Sequence, residues 1–590
     1  MLVGNKKDKS MNYHNTDERN VQIVIALLKA HNIHRVIASP GTTNMTFVVS
    51  VQNDPWFQVW SSADERSAAY LACGMAAETG EPVVISCTGA TASRNYMSGL
   101  TEAFYRKLPI LAITSTRGHT HIGHLGDQQI DRRSLPNDIA VESVNIPMVK
   151  DKEDERYCEI EVNKAILALK FNGGGPSHIN LYTGYSTNFS IKEIPYVNAI
   201  YRHTVFDADL PKIPKDGRVV VFIGSHQNCS DKLSGLIDRF CATNDAVVFC
   251  DQTSGYRGKY EVHSPLLFGQ KQYQSEFKDV NLCIHIGEVS GCQFLFKAKN
   301  VWRVSPDGQL RDTWKVLRRV FMMPEEYFFD YYSEENTTAH SFLDEINAEE
   351  AEIMKMIPDL PFGNIWIAQH MVEKLPARCE LHLGIYNSLR SWNFFKLPAD
   401  IYAKCNVGGF GIDGCLSTMI GASMVHPDKL FIGVFGDLAF FYDINVLGNR
   451  HVGSNVRILL INNGKGTEFR NYNHPCYFLK EDADSFIAAA GHYGNKSDKL
   501  VKHYAEDLGF IYLTASDKEG FEKMLPTFIQ PNHIEKPILF EVFTNSDDES
   551  IALETMLNLV KDNSLKTRAK TVVKDLLGDN IVGKIKKVLR

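Results

Sequence analysis

At 590 residues the chain is longer than the roughly 250 to 300 at which a single hydrophobic core stops growing, so several domains are expected. Its 44% apolar and 23% charged residues, with a net charge of -7, are those of an ordinary globular protein and exclude a global nucleic-acid footprint. The 12 cysteines are scattered without a CxxC pair, no secretory apolar segment opens the chain, and no apolar run reaches the roughly 18 residues that span a bilayer, so the expectation is a cytoplasmic protein with reduced thiols.

In chain order, residues 1–15 are polar, and Thr16, Asp17 and Glu18 open an amphipathic helix that runs through Ala30. Strands are expected in HRVIAS (34–39), PVVISCT (82–88), ILAITS (110–115) and SHINLY (177–182), alternating with helices over 67–80 and 95–106. A proline-containing linker around 194–215 follows. Strands RVVVFIG (218–224), AVVFCD (246–251) and LCIHIG (282–287) then mark a second unit, whose edge falls in the acidic stretch 344–354 or just before Pro358. The fold class is α/β: three domains with parallel sheets flanked by helices, at 15–192, 215–350 and 358–548, plus a C-terminal helical extension over 549–590. That extension interleaves basic residues with Val, Leu and Ile at helical spacing, a face suited to an anionic membrane surface or a partner. Packing on its own protein or on a sister subunit is the plainer expectation for it.

The most telling stretch is GDLAFFYDINVLGNRHVGSNVRILLINN (436–463). The flanking LFIGVF and VRILLI are short, branched, apolar runs, the pattern of buried parallel strands. Between them DINVLGNRHV has helical periodicity, so a right-handed crossover would bring Asp437 and Asn463 to the carboxyl ends of neighbouring strands. A carboxylate and an amide oxygen there suit Mg²⁺, which takes oxygen ligands and completes its shell with phosphate oxygens and water. The helix after Asp437 would offer backbone N–H groups to a diphosphate. An ordinary βαβ unit with a solvated Asp and an Asn-Asn-Gly turn is the plain alternative.

This stretch resembles the thiamine-diphosphate-dependent 2-oxo acid decarboxylases and carboligases, whose motif is Gly-Asp, a gap of this length, then Asn-Asn. VIASPGTTN (36–44), SSADERSAAYLACGMAAETGEPVVISCTGATASRN (61–95) and EAFYRKLPILAITSTRG (102–118) look like the pyrimidine-binding domain of the same superfamily. The resemblance implies thiamine diphosphate and Mg²⁺ as cofactors, with Glu65 as the carboxyl group that activates the pyrimidine. Glu65 follows the strand end FQVWSSA and precedes a small-residue helix, so poor hydration and a raised pKa are expected there; a helix-start acid serving its own dipole is the bland alternative. The resemblance puts Thr88 near the pyrimidine, Ile412 beneath the cofactor as an apolar wedge, and Ser388, Gly436, Leu438, Ala439 and Gly466 against it. Asp437, Asn463 and the backbone carbonyl of Lys465 would ligate the metal. Gly408, Gly409 and Gly411 would let the backbone approach closely.

Within the superfamily the chain is most similar to the menaquinone-pathway synthases, through SPG (39–41), DERSAAY (64–70), CTGATASRN (87–95), Arg117 with Asp127 and Gln128, NSL (387–389), GIDGCLST (411–418) and GDL (436–438). The departures lie where those synthases hold substrate: their carboxylate-clamping arginines fall at Thr43, Trp392 and Val407 here. A bidentate arginine has no substitute among threonine, tryptophan and valine. The candidate substrate residues are therefore Thr42, Thr43, Arg117, Arg390, Trp392, Glu468 and Arg470. Gln128 and His124 are candidates for hydrogen bonding and proton transfer, His124 in a loop with His119 and His121 where simple exposure is equally expected.

The expected function is thiamine-diphosphate- and Mg²⁺-dependent decarboxylation of a 2-oxo acid, with carboligation of the resulting enamine to a second carbonyl or alkene. The family arrangement implies a homodimer or homotetramer with active sites between subunits. The competing expectations are the menaquinone-pathway synthase that joins 2-oxoglutarate and isochorismate, and a non-catalytic binding protein on the same fold.

Overall fold

In this computed structural model the described residues are 13–291, 296–335, 337, 339–492, 496–530 and 535–561. The basic tail beyond residue 561, and with it most of the expected C-terminal extension, lies outside them.

The chain divides into two compact units, one of residues 1–204 and 308–322, the other of residues 205–307 and 323–590. The first unit holds β1 (Arg35–Ala38), β2 (Gln58–Ser61), β3 (Val83–Thr88), β4 (Ile110–Thr116), β5 (Glu142–Ile146) and β6 (Ser177–Tyr182) in a sheet of order β2-β1-β3-β4-β6-β5. Every pairing in it is parallel. The strand periodicity of two sends Val36, Val84, Leu111 and Ile179 into one apolar cluster with helices Arg19–Ala30 and Lys152–Ala168. The alternate residues Ile37, Val83, Ile85 and Ile110 enter a second cluster with helices Glu65–Thr79 and Met97–Arg106. The sheet is thus covered on both faces, as fully apolar parallel strands require.

The expected strands all form. The helix expected over 95–106 is broken at Tyr96 into Thr91–Asn95 and Met97–Arg106. The short strands β2, which is largely exposed, and β5, which buries only Val144 and Ile146, carry a weak apolar signal. In the same unit β7 (Tyr201–Thr204) leaves the first domain within the expected linker.

The second unit contains β8 (Val219–Ile223), β9 (Val247–Cys250), β10 (Glu261–Val262), β11 (Asp279–Ile286) and β12 (Lys297–Val304), in the order β10-β9-β8-β11-β12. Next in the chain, β13 (Leu317–Met322) pairs in parallel with β7 in the first unit. The acidic stretch expected to hold a domain edge is instead the helix Ser341–Met354, which buries Phe342, Ile346 and Ile353 at helical spacing.

The last sheet, also in the second unit, is built of β14 (Glu380–Leu383), β15 (Tyr402–Lys404), β16 (Phe431–Gly436), β17 (Val456–Asn462), β18 (Ile511–Ala515) and β19 (Ile538–Phe543), in the order β15-β14-β16-β17-β19-β18. All its pairings are parallel. The boundary expected at 548 cuts the helix Ser546–Met556, which Asn545 caps by accepting from the N–H groups of Asp547 and Asp548. No helix among the described residues is long and apolar enough to cross a membrane.

One buried group sets a pH dependence. His178 on β6 is 3% exposed, and its ring nitrogens lie 2.7 Å from the Thr114 hydroxyl and 2.9 Å from the Ser143 hydroxyl. Burial first, and then the charge of Arg132, push its pKa down to about 3. The unfolded chain protonates this histidine near pH 6.5, so the stability it contributes is present above about 6.5 and is lost as pH falls toward 3. His178→Gln is expected to make the decline in unfolding free energy between pH 6.5 and 4 shallower, measured by urea titration at each pH.

Candidate functional site

Strands β16 and β17 run parallel with Gly436 opposite Ile461, so Asp437 and Asn463 leave neighbouring strand ends on one sheet edge. Asp437 begins the helix Asp437–Tyr442 and is 5% exposed. The helix expected over DINVLGNRHV therefore starts earlier and is shorter, and only a 3-10 segment, Ile444–Gly448, continues it. Asp443 ends the α-helical turn by accepting from both the backbone and the hydroxyl of Ser417, each at 2.6 Å.

The two adjacent asparagines take opposite directions. Asn462 donates to the buried Glu541 at 2.7 Å, whereas Asn463 donates to Glu549 at 3.2 Å. Glu549 comes from the helix Ser546–Met556 and also accepts from Thr544 at 2.5 Å. Burial pushes its carboxyl pKa up. Burial likewise pushes Asp437 up to about 7; the N–H groups of Leu438 and Gly464 oppose this, and the charge of Glu549 adds to it.

Asp437 and Asn463 line a cavity of about 300 Å³ together with Gly436, Leu438, Ala439, Ser388, Ile412, Lys465, Gly466, Thr467, Glu468 and Glu549. A side chain on Gly436 would meet no atom within 4 Å, so the backbone itself faces open space there. The buried lining includes two side-chain oxygens without a hydrogen-bond partner, Asn364 Oδ1 and Thr467 Oγ1. A hard cation with phosphate oxygens fits these donors: a buried carboxylate, and an amide oxygen approached by the Lys465 N–H at a long 3.4 Å. Lys465 fits less simply, because its carbonyl already accepts from Thr467 N–H at 2.9 Å and its ammonium pairs with Asp484 at 2.7 Å. Tyr386, at the foot of this lining, has φ +68° and ψ -112°, a conformation costly for a side chain of its size.

In the first unit, the carboxyl ends of β1, β3, β4 and β6 converge. Gly41 packs so closely on β3 that a Cβ there would lie 1.9 Å from Thr88 Cγ2. Thr43 is buried and donates to the Ser115 carbonyl at 2.6 Å, and Thr183 donates to the Thr43 carbonyl at 2.8 Å. Glu65 is the first residue of its helix, with Asp64 as the cap, and accepts from Asn95 at 3.1 Å. It is half-buried in the single chain, not withdrawn from water as expected.

Residues 19–135 match the family model "Thiamine pyrophosphate enzyme, N-terminal TPP binding domain". This N-terminal part of the chain is similar to the thiamine pyrophosphate enzymes. Over 570 residues the chain is 29% identical to the 2-succinyl-5-enolpyruvyl-6-hydroxy-3-cyclohexene-1-carboxylate synthase of Bacteroides fragilis, covering 93% of this chain and all of that protein. The enzymes of the same name from Bacteroides thetaiotaomicron and Flavobacterium johnsoniae are 29% and 26% identical, covering 92% and 90% of this chain and 99% and 97% of theirs.

Measured against that family, the expected substrate residues separate. Arg390 and Glu468 form an ion pair beside the cavity, and Arg390 lies over the Tyr386 ring at 5.3 Å. Arg117 pairs with Asp127 at 3.0 Å and donates to the Tyr185 hydroxyl at 3.1 Å. Thr42, His124 and Gln128 are exposed, and Gln128 holds a left-handed φ of +58° in its loop. Two others, Thr43 and Trp392, sit in the structure's interior, as does Val407. Thr43 spends its hydroxyl on Ser115. Trp392 is 0% exposed and Val407 2%. Arg470 is held by Asp484 at 2.8 Å, Asp547 at 3.2 Å and Glu481 at 3.5 Å, the centre of an ion-pair network.

Sequence reasoning missed Asn364, Asn387, Thr467 and Glu549. Glu549 sits in NSDDES, where acids at a helix start have an ordinary dipole role. Trp392→Ala is expected to cost about 3–5 kcal/mol of stability, measured by denaturant unfolding, as loss of a fully buried core side chain does.

Proposed function

We propose that the protein is a thiamine-diphosphate- and Mg²⁺-dependent enzyme that decarboxylates a 2-oxo acid and joins the product to a second substrate. The observation that carries this is the single cavity holding Asp437, Asn463, Gly436 and Ile412 at the carboxyl ends of β16 and β17. Bound thiamine diphosphate would supply a carbanion nucleophile for the keto carbon and an electron sink when CO₂ leaves.

The residues then have separate tasks. Asp437 and Asn463 would hold the metal, with the Lys465 carbonyl as a third ligand using its second lone pair. Gly436, Leu438, Ala439, Ser388 and Gly466 would enclose the diphosphate, and Ile412 would support the bent cofactor. Glu65 would exchange a proton with the pyrimidine, with Thr88 beside the ring. Arg117 and Arg390 are the cations proposed for the acid substrate, and Gln128 and His124 are proposed to hydrogen-bond or protonate what it becomes.

A homo-oligomer with sites shared between copies fits the helix that starts at Glu65. It exposes Tyr70 and Leu71 by 47% and 50%, apolar surface that a second copy would cover. Within this class the named relatives favour the synthase reaction, which joins 2-oxoglutarate and isochorismate. Thr43, Trp392 and Val407 favour a different substrate pair, because the arginines that clamp carboxylates in those enzymes are absent.

Thiamine diphosphate with Mg²⁺ is expected to raise the melting temperature of the wild type and to leave Asp437→Ala unmoved; an equal shift in both would overturn the metal assignment. Glu65→Gln is expected to bind cofactor but to exchange the thiazolium C2 proton at least a hundredfold more slowly by NMR, the scale of a lost acid–base group. A CO₂-release screen of 2-oxo acids with and without acceptors distinguishes the two readings, since the synthase reading requires 2-oxoglutarate with isochorismate to be the best pair.

A further inference from the structure

Asn463 can hold a cation only through its oxygen, because the other end of its amide is a donor. A half-turn about the Cβ–Cγ bond exchanges the two ends, so whatever fixes the amide decides whether Asn463 is a ligand. The nitrogen end is held. Asn463 Nδ2 donates to Glu549 Oε1 at 3.2 Å, and the Thr544 hydroxyl donates to the same oxygen at 2.5 Å. A carboxylate oxygen accepts and an amide nitrogen donates, so this contact admits one orientation of the amide. The oxygen end agrees, since Asn463 Oδ1 is the atom that the Lys465 N–H approaches at 3.4 Å.

Glu549 is itself fixed. It is buried in the helix Ser546–Met556, where its N–H donates to the Asn545 carbonyl at 3.0 Å. Gly363 packs against it so closely that a Cβ there would lie 2.8 Å from Glu549 Cγ. Thr544 joins it to the strand end, because the Thr544 N–H donates to the Asn462 carbonyl at 3.0 Å while its hydroxyl holds Glu549. From this geometry we infer that Glu549 is a positioning residue: it acts through Asn463, gripping the amide by its nitrogen so that the oxygen is left for a divalent cation. The inference rests on the proposed metal site and deepens it. Glu549 also lines the cavity, so its negative charge alone would attract a cation wherever Asn463 pointed. The experiment has to separate grip from charge.

The test uses the full-length protein with thiamine diphosphate, and Mn²⁺ as the probe for the cation, free Mn²⁺ being followed by its EPR signal to give Kd. Glu549→Ala is expected to weaken Mn²⁺ at least tenfold, the lower end of the roughly 10- to 100-fold that partners of metal ligands are worth. Glu549→Gln keeps the accepting oxygen and loses the charge, and is expected to stay within about threefold of the wild type on the same scale. In an Asn463→Ala background the further change Glu549→Ala is expected to cost less than threefold, because nothing is left to position. Thr544→Val removes the second donor to Glu549; it is expected to weaken Mn²⁺ at least threefold, and carries the test where Glu549→Ala fails to fold. Equal weakening by Glu549→Gln and Glu549→Ala assigns the effect to charge and overturns the inference. So does an affinity unmoved by Glu549→Ala, or by Thr544→Val where that variant stands in for it, and so does a tenfold loss that persists without Asn463. A wild type that binds no Mn²⁺, or Asn463→Ala binding it as the wild type does, rejects the metal site on which the inference rests.

Discussion

The parallel pairing of β16 with β17 is the constraint on which the candidate site depends. Because Gly436 stands opposite Ile461, both strands finish at the same level, and the residues that follow them emerge side by side. Side-chain alternation then sends Asn462 to Glu541 in the interior and leaves Asn463 to Glu549 and the cavity. A slip of one residue would exchange the two amides and remove the oxygen donor from the site. The apolar faces of Ile458 and Leu460, packed in the same cluster as Phe431 and Phe435, hold that register.

Around this pair the cavity is rich in carboxylates. Asp437, Glu468 and Glu549 line it, while the cations close by are already engaged: Lys465 and Arg470 with Asp484, and Arg390 with Glu468. Burial raises the pKa of Asp437 and of Glu549, the sign of carboxylates placed without full compensation. Native proteins accept such a cost where a ligand is to be bound, and a divalent cation is the ligand that this donor set suits.

The first unit carries its candidate residues differently. Its rigid part is the crossing of Gly41, Thr43, Thr88, Ser115 and Thr183 at the sheet edge, held by short hydrogen bonds and by a contact that no side chain at position 41 could share. Its exposed part is the loop bearing His124 and Gln128, tied at one end by the Arg117–Asp127 pair. The buried polar framework is fixed by its partners, while the loop leaves His124 and Gln128 exposed.

Much of this was legible in the chain itself. Unbroken apolar runs such as VVISCT, VVVFI and VRILLI determined the buried parallel strands, since a strand covered on both faces has no polar alternation to hide. Gly436-Asp437 and Asn462-Asn463 at the ends of two of those runs determined that a carboxylate and an amide would emerge side by side. Burial and partner choice were decided only in three dimensions. Whether an arginine, tryptophan or threonine meets a substrate depends on which distant groups arrive beside it, and Asp547 and Gln252 are far in sequence from Arg470 and Asn393, their respective partners. Asn364 and Glu549 reach the cavity from helices near opposite ends of the last domain, a convergence that local periodicity cannot encode. The sequence determined the strands and the side-by-side placement of Asp437 and Asn463 because both follow from neighbouring residues; the tertiary structure decided which charges are already spent, because that follows from packing.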